Sequence, residues 1–349
     1  MKKYLKSLLI IFVLAFATVS AVMGTRVLSE ERITTDPDAQ YEPEIYGDIV
    51  VWEDDRSDNR DIWGYNLRTG QEFPICIKND NQRGPAIYGD IVVWRDYRNG
   101  TNYDIWGYNL KTGQEFQITT DPAAQYEPAI YGDIVVWEDY RNGNANIYGH
   151  NLKTGGQDFP ITTDPFTQLD PAIYGDIVVW EDYRNGTNYD IWGYNLKTKQ
   201  EFQITTDPAN HYNPAIYGDI VVWDNFRNGN YDIYGYNLKT KQEFQITTDP
   251  AMQEYPAIYG DIVVWKDRRN GNADIYGYNL KTGQEFQITT DPASQDYPAI
   301  YCGRVVWQDF RNGNADIYLA NLDVVCETKK SLPMDWFMKH FGLGNKDKE

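Results

Sequence analysis

Between residues 32 and 323 the chain alternates short apolar runs with polar turns, and that alternation is itself repeated. The third copy reads ITTDPAAQYEPAIYGDIVVWEDYRNGNANIYGHNLKTG over residues 118–155. Apolar runs at 129–131, 134–138, 146–152 and 158–162 predict four strands. The separators are Gly132-Asp133, Asn142-Gly143 and a Lys-Thr-Gly run, residues that accept the positive φ of tight hairpins. The second run, Ile-Val-Val-Trp, is apolar on both faces, which fits a strand in a sheet sandwiched between neighbours. Gly149 on the third strand matches Gly107 and Gly193 in adjacent copies; bare backbone there allows a close approach.

The tryptophan closing each second strand falls at Trp52, Trp94, Trp137, Trp180, Trp223, Trp265 and Trp307, a spacing of 42 or 43 residues. Four strands at that period make a propeller blade. A solenoid would need polar capping repeats, and the terminal copies keep their apolar strands. The expected fold is therefore all-β: a single seven-bladed propeller over 32–323. The first copy begins early, with Arg32-Ile33-Thr34-Thr35-Asp36, and the last lacks its Ile-Thr element. Residues 32–36 are thus expected to supply the outer strand of blade seven and clasp the ring shut.

The string P-A-I-Y-G-D-I-V-V-W, followed by R-N-G-N-x-D-I-Y-x-x-N-L-x-T-G and an Ile-Thr strand, resembles the TolB-type propeller repeat. It is most similar to the seven-copy version in surface proteins of methanogenic archaea. The resemblance covers about 290 of the 349 residues. It implies an exported binding or surface protein without a settled ligand. TolB itself has six blades and an extra N-terminal domain, so a Tol-like partnership does not carry over.

The N-terminus changes the setting. Lys2, Lys3 and Lys6 precede an apolar run at 8–17 and the small residues Val19-Ser20-Ala21. The run is shorter than the roughly 20 residues of a membrane span and reads as a signal peptide over 1–24, cleaved near 21–24. A secreted or cell-surface location follows, with no integral span after cleavage. Net charge is −19, which disfavours nucleic acid as a partner. Three cysteines allow one intramolecular pair. Chain order puts Cys302 and Cys326 at the same end of blade seven and Cys76 at the opposite end of blade one, so Cys302–Cys326 is the expected disulfide. The tail, 324–349, leaves the repeat and carries a possible short helix around Trp336, Phe337 and Phe341.

Chain order also assigns two faces. The loops leading into each inner strand, and those between strands two and three, share the top. The leading loops vary while the frame does not, and variation on a rigid frame is where recognition sits. Within them Gln40, Gln82, Gln125, Gln168, His211, Gln253 and Gln295 recur three residues before each proline. As a ring at the channel mouth, their amides suit sugar hydroxyls or a peptide backbone; alternatively each ties its own loop in place. Tyr41, Tyr126 and Tyr212, with Tyr255 and Tyr297, offer stacking surface or pack between blades.

The Asp139, Arg141, Asn142, Asn144 and Asn146 pattern invites calcium, but an arginine recurs at its centre. Arg56, Arg98, Arg141, Arg184, Arg227, Arg269 and Arg311 are expected to fork onto the carboxylates opening the next strand: Asp61, Asp104, Asp190, Asp232, Asp274 and Asp316. No metal and no cofactor is expected. No Gly-x-Ser-x-Gly elbow occurs, which removes serine-hydrolase chemistry. Glu42, Glu127, Asp170, Glu254 and Asp296 crowd the top, and Lys78, Arg83, Phe166 and His211 break the repeat.

The expected function is therefore binding, of a surface glycan, envelope protein or peptide, rather than catalysis. The alternatives are an extracellular carbohydrate-active enzyme, lyase or glycoside hydrolase, working at the channel mouth with His211 or Glu127, and a structural surface-layer module.

Overall fold

The computed structural model describes residues 24–326; most of the expected signal peptide and the tail beyond 326 lie outside it. The described residues form 28 strands and no helix, in seven four-stranded antiparallel sheets. Blade four is representative: Gln168–Tyr174 innermost, then Ile177–Asp182, Asp190–Asn195 and Gln200–Gln203. The inner strand of blade seven, Gln295–Tyr301, contacts that of blade one, Gln40–Tyr46, so the ring is closed.

There is no single core. Each interface between adjacent blades holds its own apolar wedge. Val178 and Trp180 face blade three with Val136, Ile147 and Ile161, whereas Val179 faces blade five with Ile216, Val221 and Trp223. The second strand thus buries both faces, as its uninterrupted apolar run requires. The seven tryptophans of the second strands have no solvent exposure.

The middle strands of blade three match expectation to within one residue, whereas its inner and outer strands differ more. The inner strand of blade three is Gln125–Tyr131, four residues longer than its apolar run. A register shift between Tyr126 and Ala129 absorbs Glu127 and Pro128, and the same bulge recurs in every blade. Proline is tolerated because this is the free edge of the sheet. The outer strand shrinks to Phe159–Pro160, because Ile161 and Thr162 hook onto Ile147 instead. Both backbone N–H groups donate to its carbonyl, at 2.8 and 3.1 Å, and Ile147 N–H donates to Thr162 Oγ1 at 2.9 Å.

That hook corrects the expected clasp. The strand completing blade seven is Val27–Arg32, paired antiparallel with Asp316–Leu322. Residues 33 and 34 are its hook: Ile33 N–H donates to Ile317 O at 2.8 Å, and Ile317 N–H to Thr34 Oγ1 at 2.9 Å. The pairing partner is the expected one, but the strand lies earlier than 32–36.

The third-strand glycines have a packing reason. A Cβ on Gly149 would stand 2.8 Å from the Phe159 ring, and one on Gly64 2.8 Å from Phe73. Six blades pair glycine with phenylalanine. In blade seven the same register pairs Leu319 with Glu31, so the leucine fills from the third strand the space that phenylalanine fills from the outer one. Cys302 and Cys326 form a disulfide with Cα atoms 5.1 Å apart. Cys76 is free and buried, 3.2 Å from Arg98 Nη2.

Candidate binding surface at the channel mouth

The recurring glutamines do not face the channel. All six, and His211, have no solvent exposure, because they begin the inner strand and the bulge turns their side chains between blades. Thr119 Oγ1 and Thr162 Oγ1 donate to Gln125 Oε1 and Gln168 Oε1 at 2.8 and 2.9 Å, and Gln168 Nε2 donates to Phe166 O at 2.8 Å. Gln125, Gln168 and Gln295 tie their leading loops to the preceding blade's Ile-Thr hook, whereas Gln40, Gln82 and Gln253 donate only to carbonyls of their own loops. Gln40, Gln82, Gln125, Gln168, Gln253 and Gln295 are therefore internal ties rather than rim ligands. His211 is one too: its Nδ1 lies 2.9 Å from Tyr189 O and its Nε2 2.8 Å from Asp207 Oδ2. That geometry withdraws it from catalysis.

The repeated arginines choose a different carboxylate from the one expected. Arg141 Nε and Nη2 grip Asp139 at 2.7 and 2.6 Å, and Asp139 also accepts from Trp137 Nε1 at 2.9 Å. The guanidinium lies 4.2 Å over Tyr148. Asp139 ends the second strand only two residues earlier, within reach of a bidentate fork. The acids opening strand three receive asparagine amides instead, as Asp104 does from Asn99 at 2.8 Å. Asp139 is committed to the arginine fork, and Asn142 and Asn144 present amide nitrogens rather than oxygens, to Asn146 Oδ1 at 3.1 Å and Phe166 O at 2.7 Å. Among the described residues no three His, Cys, Asp or Glu side chains gather as a metal site.

Blade five departs as a unit. His211 and Asn225, standing for glutamine and aspartate, are directly paired across the sheet, and Trp223 Nε1 is left without a hydrogen bond. The other departures do not converge: Lys78 and Arg83 belong to one leading loop and strand, Phe166 to another loop.

What surrounds the mouth is a belt that joins the expected top-face acids Glu42, Glu127 and Asp170 to partners the sequence does not single out, the residues following each tryptophan. The bulge residues Glu42, Gly84, Glu127, Asp170, Asn213, Tyr255 and Tyr297 all have positive φ, from 44° to 59°. In most blades the residue after the tryptophan reaches the next blade's bulge. Glu138 Oε1 accepts from Asp170 N–H at 2.9 Å, Glu181 Oε1 from Asn213 N–H at 2.7 Å, and Glu53 Oε1 from Gly84 N–H at 2.7 Å. Gln308 Oε1 accepts from Glu42 N–H at 3.2 Å and closes the belt. At two places the polarity inverts: Arg95 bonds the Glu127 carboxylate, and Lys266 Nζ bonds Asp296 at 2.7 Å.

Burial and mutual repulsion act on these acids. Burial, then Asp170, pushes Glu138 up to about 7; burial brings Asp224 to about 7; burial, then Glu53, takes Glu42 to about 7. Glu181 is raised by burial and by Asp170. Outside the acids, half-buried rings form an arc across blades two to five. Tyr97, Tyr103, Tyr126 and Tyr140 stand 5.0–5.5 Å apart in succession, and Tyr183, Tyr189 and Tyr212 4.9 and 5.5 Å apart. Tyr126 and Tyr212 thus belong to this arc, whereas Tyr41 lies beneath the Arg60 guanidinium at 4.2 Å.

The bottom of the channel carries a second feature absent from the sequence expectations. Tyr46, Tyr88, Tyr131, Tyr174, Tyr217, Tyr259 and Tyr301 form an unbroken collar, each ring centroid 4.6–4.7 Å from the next. Burial and the adjoining phenols raise the pKa of Tyr46, Tyr131 and Tyr259 and keep them neutral. Glu44 stands where the other blades carry alanine. Water wets its side chain while protein encircles it, and that partial desolvation, with Glu42 nearby, brings it to about 7. A hollow of about 770 Å³ lies under blades five to seven, lined in part by Tyr259, Cys302 and Cys326.

No family model matches this chain, and no curated protein matches its sequence. Solved structures do share its architecture. Oligogalacturonate lyase from Vibrio parahaemolyticus is 15% identical, with 85% of this chain and 98% of that one aligned at a TM-score of 0.61. The propeller domain of the Trilobed protease from Pyrococcus furiosus is 12% identical over 82% and 94% of the two chains, with a TM-score of 0.65. A TolB-like protein of Agrobacterium tumefaciens is 14% identical over 74% and 97%, at 0.52. At such identities the likeness is one of fold: the chain is a seven-bladed β-propeller whose structural neighbours include TolB-like propellers, lyases and peptidases.

Proposed function

We propose that this chain is an exported binding protein that recognises its partner at the top mouth of the channel. The observation that carries this reading is the break in sevenfold symmetry at the mouth. An arc of half-buried tyrosines on blades two to five encloses Glu138, Asp170 and Glu181, whereas the opposite side carries Lys266, Arg268 and Arg60. A frame repeated seven times diversifies where one partner must be met. The basic, then apolar N-terminal segment supports export, and the similarity of the repeat to surface propellers of methanogenic archaea supports a cell-surface setting. A surface glycan, envelope protein or peptide fits the mouth.

A second reading, a carbohydrate-active lyase or hydrolase, draws on the raised Glu138 carboxyl beside Asp170, since a carboxyl poised near neutrality suits general acid–base work. The acid-rich mouth disfavours an anionic uronate chain of the kind named for the Vibrio lyase. Glycan and peptide arrays combined with a sugar-release assay separate the readings. Binding without turnover, lost on Tyr189→Ala, is expected; turnover abolished by Glu138→Gln would replace binding with catalysis. Absence of any ligand on either array would reject the mouth as a recognition surface.

A further inference from the structure

Resting on that reading, we infer that the mouth takes a basic peptide segment, with a lysine or arginine side chain seated among Glu138, Asp170, Glu181 and Asp224 under the tyrosine arc.

The protein itself shows how this belt holds a cation. Three of its own basic side chains sit there in the same manner. Arg60 bonds Glu53 and lies 4.2 Å over Tyr41. Arg95 bonds Glu127 and lies 5.9 Å from the Tyr126 ring. Lys266 bonds Asp296 at 2.7 Å and lies 5.2 Å over Tyr255. Each pairs a carboxylate with a tyrosine face, the combination that stabilises a desolvated cation.

Blades three to five repeat the carboxylates and the tyrosines, and apart from the Arg95–Glu127 pair they do so without a cation. Their post-tryptophan residues are Glu138, Glu181 and Asp224, their bulges Glu127, Asp170 and Asn213, and the facing rings Tyr140, Tyr189, Tyr212 and Tyr231. Asp170 and the rings are partly exposed, while Glu138, Glu181 and Asp224 are set deeper. The rings feel the acids: Glu181, Asp170 and Glu138 all act on the Tyr189 hydroxyl, and Glu181 and Asp224 on that of Tyr212. The neighbouring cation, Arg95, is already bonded to Glu127.

An independent mark of incompleteness lies at Asp224. It is 2% exposed, and its Oδ1 has no hydrogen-bond partner, although Oδ2 accepts from Asn213 Nδ2 at 2.9 Å. A buried carboxylate oxygen without a donor is unusual, and an ammonium or guanidinium supplies donors only. The acids are spread along an arc and do not converge as metal ligands, a spacing suited to a side chain with a stem. Because the resident examples are lysine and arginine side chains, a peptide is favoured over an amino-sugar polymer.

The test is calorimetry on the exported chain at pH 7.5, with tetralysine and tetra-arginine peptides, a Ser-Gly peptide of equal length, spermidine and a chitosan oligomer. The basic peptides are expected to bind and the Ser-Gly peptide not to. Tyr189→Ala and Glu181→Gln, the latter keeping the oxygen that accepts from Asn213, should each weaken binding about tenfold or more. Asp176→Asn, the same charge change in an exposed bottom turn, should leave it unaltered. Thermal melts confirm that each variant folds. Equal weakening by Asp176→Asn would show mere attraction to an acidic surface and overturn the inference. Binding of spermidine or chitosan in place of the peptides would overturn the peptide assignment while leaving the mouth as a recognition surface. Silence toward every probe, with a neutral glycan bound on the array, would do the same.

Discussion

The phenol rings of Tyr46 and Tyr301 lie 4.7 Å apart, inclined at 51°, although 255 residues of chain separate them. Tyr174 and Tyr217, consecutive in the middle of the chain, lie 4.7 Å apart at 49°. The junction of first and last blades is thus made like every other. Tyr46→Ala breaks the collar at its two flanking pairs. At about 0.5–1.5 kcal/mol for each aromatic pair, a loss of about 1–3 kcal/mol is expected. Denaturant unfolding checks it, and an unchanged midpoint would mean that the collar does not help hold the ring shut.

Removing residues 27–32 strips the outer strand from Asp316–Leu322. The exposed edge of blade seven then invites pairing with other molecules. A drop of several kcal/mol is expected, with concentration-dependent aggregation visible by light scattering. A monomer with the original melting midpoint would show that the hook at Ile33 and Thr34 suffices.

Burial and the Asp170 carboxylate push Glu138 from 4.5 to about 7, with Arg95 opposing them. The folded chain therefore keeps a proton that the unfolded chain has released between those values. Stability falls as pH rises through that window and levels off above it. The ceiling for this one group is about 3 kcal/mol, with Asp224 acting in the same direction. Glu138→Gln keeps the acceptor for Asp170 N–H and should flatten the decline, leaving the variant at least as stable as the parent at pH 8. Chemical denaturation at pH 5, 6.5 and 8 tests this; parallel curves for the two proteins would contradict it.

At blade five, Asn225 stands where Asp182 and Asp267 accept from Trp180 and Trp265 at 2.8 and 2.9 Å. Asn225→Asp, combined with His211→Gln, should give Trp223 Nε1 its missing partner and Arg227 its two-point grip. A gain of about 1 kcal/mol is expected, readable as a higher melting temperature. A loss would show that the His211–Asp207 contact matters more than the tryptophan bond.

Period and alternation make the blades, turns and closure legible, because each depends on local apolar spacing. The binding surface is less so, for a geometric reason. The Glu127-Pro128 bulge sits between Gln125 and Ala129, and it turns the recurring glutamines inward while leaving the variable bulge residues at the mouth. The arginine fork goes to Asp139 rather than to the acid opening strand three, a choice between two hairpin-distance neighbours that the sequence does not rank. Tyr46 and its counterparts look like frame residues, since nothing local reveals that seven of them meet on one axis. Glu44, the sole glutamate in an alanine column, is the one channel feature that alignment of the seven copies alone would have exposed.

The exchange of glycine and phenylalanine for Leu319 and Glu31 marks blade seven as the sheet in which the two ends of the repeat array are joined. A circular permutant cut in the Lys-Thr-Gly turn of another blade would carry that seam as a scar, a covalently continuous sheet still lacking its aromatic ring. Leu319→Gly together with Glu31→Phe, and a leucine transplanted to the new junction, is what would let the ring be opened elsewhere without leaving a defect behind.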